Sequence, residues 1–146
     1  MGDVNQTPEG LVTLQSRHGP VGTLMRLEDS IASRGLTIFA RIDHAAAAKD
    51  VGMDLRPTQV VIFGSPKSGT PLMQMSETIG LDLPLKILVR QEANGQTILA
   101  YDDPAWLASR HGLAETAGPI IEKMQAAIAA IAGEAAAGPS QASTEA

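Results

Sequence analysis

The segment Gly64-Ser65-Pro66-Lys67-Ser68-Gly69-Thr70 sets two glycines around a lysine and two serines, with Thr70 directly after. Glycines let backbone N–H groups turn inward on an anion, which is how phosphate loops hold their ligands. A nucleoside-triphosphate loop needs Lys and then Ser or Thr directly after its second glycine, whereas Thr70 and Pro71 stand there and the lysine is Lys67. ATP or GTP hydrolysis is therefore set aside. Gly64, Ser65, Lys67, Gly69 and Thr70 are read either as a tight structural turn or as contacts for a small anionic ligand.

A second candidate is Asp43-His44. At a helix start, Asp43 can accept backbone N–H bonds and the local dipole favours a neutral imidazole, so His44 could ligate a metal or take a proton. Against that stands the commoner role of a lone histidine, packing or capping, and neither His18 nor His111 has ligand spacing to it. Met73 and Met75 are two apart, share no helix face, and are expected to fill core gaps rather than bind copper. Asp102 and Asp103 stand directly before Pro104, where capping a helix explains them without an acid–base pair. The hydrolase patterns Gly-x-Ser-x-Gly and His-Glu-x-x-His are absent.

The elements that must position these residues follow from periodicity. Gly10 to Ser16 alternates as a strand, and Pro20 opens a helix with Val21, Leu24, Leu27 and Ile31 on one stripe and Gly35 as its left-handed cap. Leu36 to Asp43 alternates again: Leu36, Ile38, Ala40 and Ile42 are expected on one face and Thr37, Phe39, Arg41 and Asp43 on the other. Ala45 to Val51 reads as a short helix closed by Gly52, and Pro57 to Phe63 as a β-branched strand. Pro71 to Thr78 suggests two helical turns after the glycine-flanked loop. Leu85 to Glu92 and Thr97 to Asp102 form a hairpin, for which Asn94-Gly95 predicts a type I′ turn. Helices are expected from Pro104 and from Gly118-Pro119.

Phe39 and Arg41, together with Lys86, Leu88 and Arg90, alternate away from the core positions, so one sheet face is expected to gather three cations around apolar side chains. Such a face is either solvated, covered by a second copy of the chain in a homodimer, or shaped to hold a small acidic ligand.

Length and composition bound these readings. A chain of 146 residues with 44% hydrophobic and 18% charged residues builds one core, made of aliphatic side chains because aromatics are only 3%. The net charge of -5 repels phosphate backbones, so nucleic acid is excluded as a partner. Without cysteine there are no disulfides, thiolate nucleophiles or Cys-ligated zinc. Met1 to Glu9 has neither a basic nor an apolar leader region, and no apolar run spans a bilayer, so no membrane is involved and the expected location is cytoplasmic. Residues 1–9 are expected to be flexible, 10–132 to form a single domain, and 133–146 to be a disordered Ala/Gly/Ser-rich tail.

Five blocks then stand together: Ile42-Asp43-His44-Ala45-Ala46-Ala47-Ala48, Leu55-Arg56-Pro57-Thr58, Ile62-Phe63-Gly64-Ser65-Pro66, Gly69-Thr70-Pro71-Leu72-Met73 and Asp82-Leu83-Pro84-Leu85-Lys86. In this order, between about Leu14 and Leu113, they resemble the bacterial domain-of-unknown-function family 302. The resemblance implies a TATA-box-binding-protein-like topology of strand, helix, four strands and helix, and it brings no activity, because a fold hosts many functions. Ser65 departs from the family pattern, which usually has Asn there.

The expected fold is thus α+β, two-layered, with a curved, mostly antiparallel five-stranded sheet. The expected function is a small-ligand, anion or metal binding or accessory protein, homodimeric, with a site made of the Gly64 to Thr70 loop and the neighbourhood of Asp43 and His44. Arg41, Lys86 and Arg90 would supply charge. Two alternatives remain: an enzyme with His44 as base or metal ligand assisted by Thr70 or Tyr101, and a structural homodimer module burying Phe39 and Leu88. The sequence does not identify a cofactor, and the one metal-ligand candidate is His44.

Overall fold

The computed structural model describes residues 8–137. Strand β1 (Leu11–Ser16) leads into helix α1 (Pro20–Ser33), strand β2 (Thr37–Asp43) and the short helix α2 (His44–Asp50). Strand β3 (Thr58–Gly64) is followed by α3 (Pro66–Met75) and a 3-10 turn (Glu77–Leu81). The hairpin β4 (Leu85–Gln91) and β5 (Thr97–Asp102) comes next, then α4 (Pro104–Arg110) and α5 (Gly118–Ala137). The strands lie in the order β1-β5-β4-β3-β2, and every neighbouring pair is antiparallel. This is the α+β sheet the sequence predicts.

Helices α1 and α5 pack on each other and on one face of the sheet. Leu27 and Ile31 from α1 and Ile128, Ile131 and Ala135 from α5 meet Val61, Phe63, Ile87, Val89 and Leu99, all buried. The sequence stripes supply these residues because a period of about 3.6 on a helix and of 2 on a strand each present one apolar side. A second buried cluster joins Leu72, Ile79, Ala108, Leu113 and Ile121, which ties α3, the 3-10 turn and α4 to the start of α5. Leu83 and Met124 pack against both clusters.

The expected caps are in place. Gly35 has φ +73° and returns its N–H to Ala32 O, Asp43 accepts from Ala46 N at 2.9 Å, and Asp103 accepts from Ala105 N at 2.9 Å. The β4–β5 hairpin also forms, but its turn is not type I′. Only Gly95 takes a positive φ, +91°, while Gly95 N–H bonds Glu92 O and Glu92 N–H bonds Gln96 O. That is a three-residue loop whose last residue forms a glycine bulge.

Three further expectations are corrected. First, β2 does not alternate throughout. Ile38 opposes Phe63 and Ala40 opposes Ile62, so a bulge at Phe39 inserts one residue and reverses the faces beyond it. Ala40 and Ile42 then share a side with Ile62 and Val60, whereas Arg41 opposes the buried Val61 on the helix-covered side. Second, the helix after β3 starts at Pro66 rather than Pro71. Ser65 caps it through Oγ and Pro66 occupies its first turn, with Pro71 inside the helix. Lys67 O thereby loses the N–H it would otherwise accept. Third, α5 continues past Gly133 to Ala137, with Ala135 and Ala136 buried. Ala136 O accepts from Arg17 N at 2.8 Å and from Ser16 Oγ at 3.3 Å, and Glu134 bonds Ser30 and Arg34. Tertiary partners thus order a stretch whose composition alone suggested a tail. Positions 1–7 and 138–146 of the two expected flexible segments lie outside the described residues.

Candidate ligand-binding site

At the Gly64 end of β3 the two clusters part and leave a cavity of about 800 Å³. Its floor is Phe63, Leu83 and Leu85; one wall is Ser65 to Thr70 with Met73, and the other is Ile120, Met124, Ala127 and Ile128 on α5. A volume in this range is typical of small-molecule sites. Gly64 and Gly69 keep this side open: a Cβ on Gly64 would come 3.6 Å from Pro84 and 3.9 Å from the Phe39 ring, and one on Gly69 would meet Leu83 and Met73 at 3.8 Å. These distances are ordinary contact, so neither glycine is forced by a clash or by backbone strain. Met73 and Met75 are exposed rather than core-filling, and Met73 lines the cavity while Leu72 takes the buried position.

The sequence-predicted loop is therefore at a cavity, but its backbone is not a phosphate cradle. Pro66 has no N–H, Lys67 N–H is held by Ser65 Oγ at 3.2 Å, and Ser68 and Gly69 N–H both bond Ser65 O at 3.0 Å. Any charge recognition here must come from side chains. Three cations line the cavity, namely Arg34, Lys67 and Lys123, and no Asp or Glu does. Arg34 Nη2 already donates to Glu134 at 2.8 Å.

The other predicted residues lie elsewhere. Thr37 opposes Gly64 and Asp43 opposes Gln59, so His44 sits past the far end of β3, roughly 17 Å away at about 3.3 Å per residue. It is exposed at the start of α2, and among the described residues no three His, Cys, Asp or Glu side chains come together to hold a metal ion. Arg41 donates from Nε to Glu28 Oε2 at 2.7 Å and from Nη2 to Glu28 Oε1 at 2.9 Å, a two-point pair with α1. The three cations expected to gather on one face are thus divided, since Lys86 and Arg90 oppose Ile62 and Thr58 on the other side. Lys86 Nζ is spent on the carbonyls of Asp82 and Pro84 at 3.3 and 3.1 Å, and Arg90 reaches Glu92 at 3.4 Å. Tyr101 is buried, and desolvation together with the nearby Asp103 charge pushes its phenol up from the ordinary value.

A polar chain that sequence spacing did not reveal joins the 3-10 turn to α4. His111 Nε2 is 2.6 Å from Asp82 Oδ2, His111 Nδ1 is 2.8 Å from Thr78 Oγ1, and Arg110 Nη1 donates to Asp82 Oδ2 at 2.8 Å. Hydroxyl, imidazole and carboxylate in line is an arrangement that activates nucleophiles elsewhere. Here Arg110 shares the carboxylate and the imidazole is buried, so the chain clamps two elements together. Lys123 and Arg34 were also missed as cavity residues. The spacing of Ile120, Met124, Ala127 and Ile128 along one helix face was the available signal for that wall.

The chain matches the family described as "Domain of unknown function DUF302" over residues 12–131. It belongs to that family. The DUF302 chain is also similar to two curated proteins titled "Fluoride-specific ion channel FluC 1". One, from Brucella suis biovar 1, is 45% identical over 115 residues, which cover 79% of this chain and 45% of that one. The other, from Brucella abortus biovar 1, is 45% identical over 115 residues, covering 79% and 43%. The chain thus spans less than half the length of these relatives. Among solved structures, an uncharacterized conserved DUF302 protein from Bacillus stearothermophilus aligns with a TM-score of 0.76 at 22% identity, over 88% of this chain and 99% of that one. That likeness concerns the fold. Among the described residues no helix is long and apolar enough to cross a membrane.

Proposed function

We propose that this DUF302 chain is a small-ligand binding or accessory module whose site is the cavity between α3 and α5. The observation that carries this reading is the cavity of about 800 Å³ at the segment Gly64 to Thr70, walled by side chains from two separate cores. A half-open pocket of that size with mainly apolar walls is of the kind that seats a small molecule. His44 lies outside this cavity, at the far end of β3. The test is a binding screen on the intact chain beside Ala127→Phe, which fills the cavity from α5. Compounds that raise the melting temperature of the wild type and lose that effect in the variant support the reading; equal shifts in both, or none in either, overturn it.

A second reading comes from the relatives. Because the matched stretch is less than half of chains titled as fluoride-specific ion channels, a DUF302 module working beside an ion channel is proposed as its setting. Co-purification of this chain with the unmatched portion of the Brucella suis protein tests it, and its absence counts against it. Self-association is a separate proposal, supported by the half-buried Ile62, Leu88 and Ile98 on the sheet face away from α1 and α5.

A further inference from the structure

We infer that the ligand of this cavity is an aliphatic monocarboxylate, seated with its chain between the apolar walls and its carboxylate at the mouth between Lys67 and Lys123. The inference rests on the binding reading above and adds the chemical class.

Charge distribution points to an anion. The chain carries 16 acidic and 11 basic residues, yet the cavity is lined by three of the cations and by no carboxylate. Lys67 belongs to the first turn of α3 and Lys123 to α5, so the two ammonium groups come from opposite walls. Both residues are exposed, and among the described residues neither makes an ion pair. They are solvated charges at a rim, available without breaking an existing bond.

The shape of the donor set selects the headgroup. A phosphate is held best by several backbone N–H groups or by a two-pronged guanidinium. Here the first-turn amides of α3 are consumed by Ser65, and the Arg34 guanidinium is engaged by Glu134. Two mobile ammonium groups acting as point charges suit a single negative charge that stays partly in water. Below them Phe63, Leu83, Leu85, Met73, Met124 and Ile128 offer an alkyl chain dispersion contact, while the hydroxyls of the cavity are confined to the loop wall at Ser65, Ser68 and Thr70. Two methionines among those six give walls that adjust to chain length.

The experiment is titration of the full chain with decanoate, decanol and acetate, followed by calorimetry and by the amide shifts of Gly69 and Ala127. Decanoate should bind and move both amides, decanol should bind several-fold more weakly, and acetate should leave them unmoved. In the double variant Lys67→Gln/Lys123→Gln, decanoate should weaken about tenfold, the sum of two exposed ion-pair contributions, with decanol unchanged. Equal affinity for decanoate and decanol in the wild type, or a decanoate preference that survives the double variant, overturns the carboxylate assignment and leaves the cavity reading standing. Acetate moving both amides as decanoate does overturns the aliphatic part. If neither ten-carbon probe moves Gly69 or Ala127, the inference and the cavity reading fall together.

Discussion

His111 Nε2 stands 2.6 Å from Asp82 Oδ2, and this contact fastens the C-terminal end of α4 to the end of the 3-10 turn. Desolvation pushes the Asp82 carboxyl up, but the hydrogen bond from His111 and the charges of Arg110, His111 and Lys86 outweigh it and hold the carboxyl below its ordinary value. A carboxyl depressed in the fold contributes stability that is present above its unfolded value, about 3.9, and is lost as pH falls through the folded value. Acid unfolding followed by circular dichroism should therefore steepen below about pH 4. Asp82→Ala should lower stability at neutral pH by about 2 kcal/mol, because the buried imidazole loses a charge-assisted partner, and should flatten that acid limb.

Gly10 and Trp106 form the tightest backbone-to-ring contact of the glycines. Gly10 has φ +81°, and a Cβ there would lie 2.4 Å from the indole. Gly10→Ala combines a left-handed backbone with an overlap that the ring must relieve, and about 3 kcal/mol of destabilisation is expected. Trp106 is the single tryptophan, so denaturant unfolding read by its fluorescence reports the loss directly.

Ala135 is fully buried near the end of α5. Ala135→Leu should cost about 1–3 kcal/mol by overpacking the contact with α1, whereas a chain end without tertiary partners would tolerate it. A melting temperature unchanged by this substitution would contradict the observed helix end.

Arg41 lies outside the cavity, at the Glu28 edge of the sheet. Since it pairs with Glu28 and does not line the cavity, Arg41→Ala should leave ligand-induced thermal shifts at the cavity unaltered and produce only a small, salt-sensitive loss of stability. A loss of ligand response in this variant would mean that the site extends along β2 beyond Phe39 to Arg41.

Leu88 tests self-association. It sits at the centre of the sheet face away from α1 and α5, opposite Val60 and Ala100. If two copies pair through that face, the wild type should have the native mass of a dimer and Leu88→Asp that of a monomer. A monomeric wild type removes the proposal.

Local chemistry made much of the fold legible. Pro20 and Gly35 bracket α1, Asp43 and Asp103 cap their helices, and strand alternation places Phe63, Ile87 and Leu99 in the core, because caps and periodicities depend on residues within one turn or one strand. The Gly64 to Thr70 segment could be singled out for the same reason, through its glycines and hydroxyls in succession.

What only tertiary structure decided depends on residues far apart in the chain. A single inserted residue at Phe39 turned Arg41 to the opposite face, and such a bulge is set by how β2 meets β3 rather than by the β2 sequence. The alanine-rich end of α5 is ordered because Ser16, Arg17 and Ser30, more than a hundred residues earlier, donate hydrogen bonds to it. The cavity lies beside Leu83 and Met124, which pack against both buried clusters, and that junction of distant segments, which no local pattern encodes, brings Lys67 and Lys123 to one cavity and leaves His44 at the other end of the sheet.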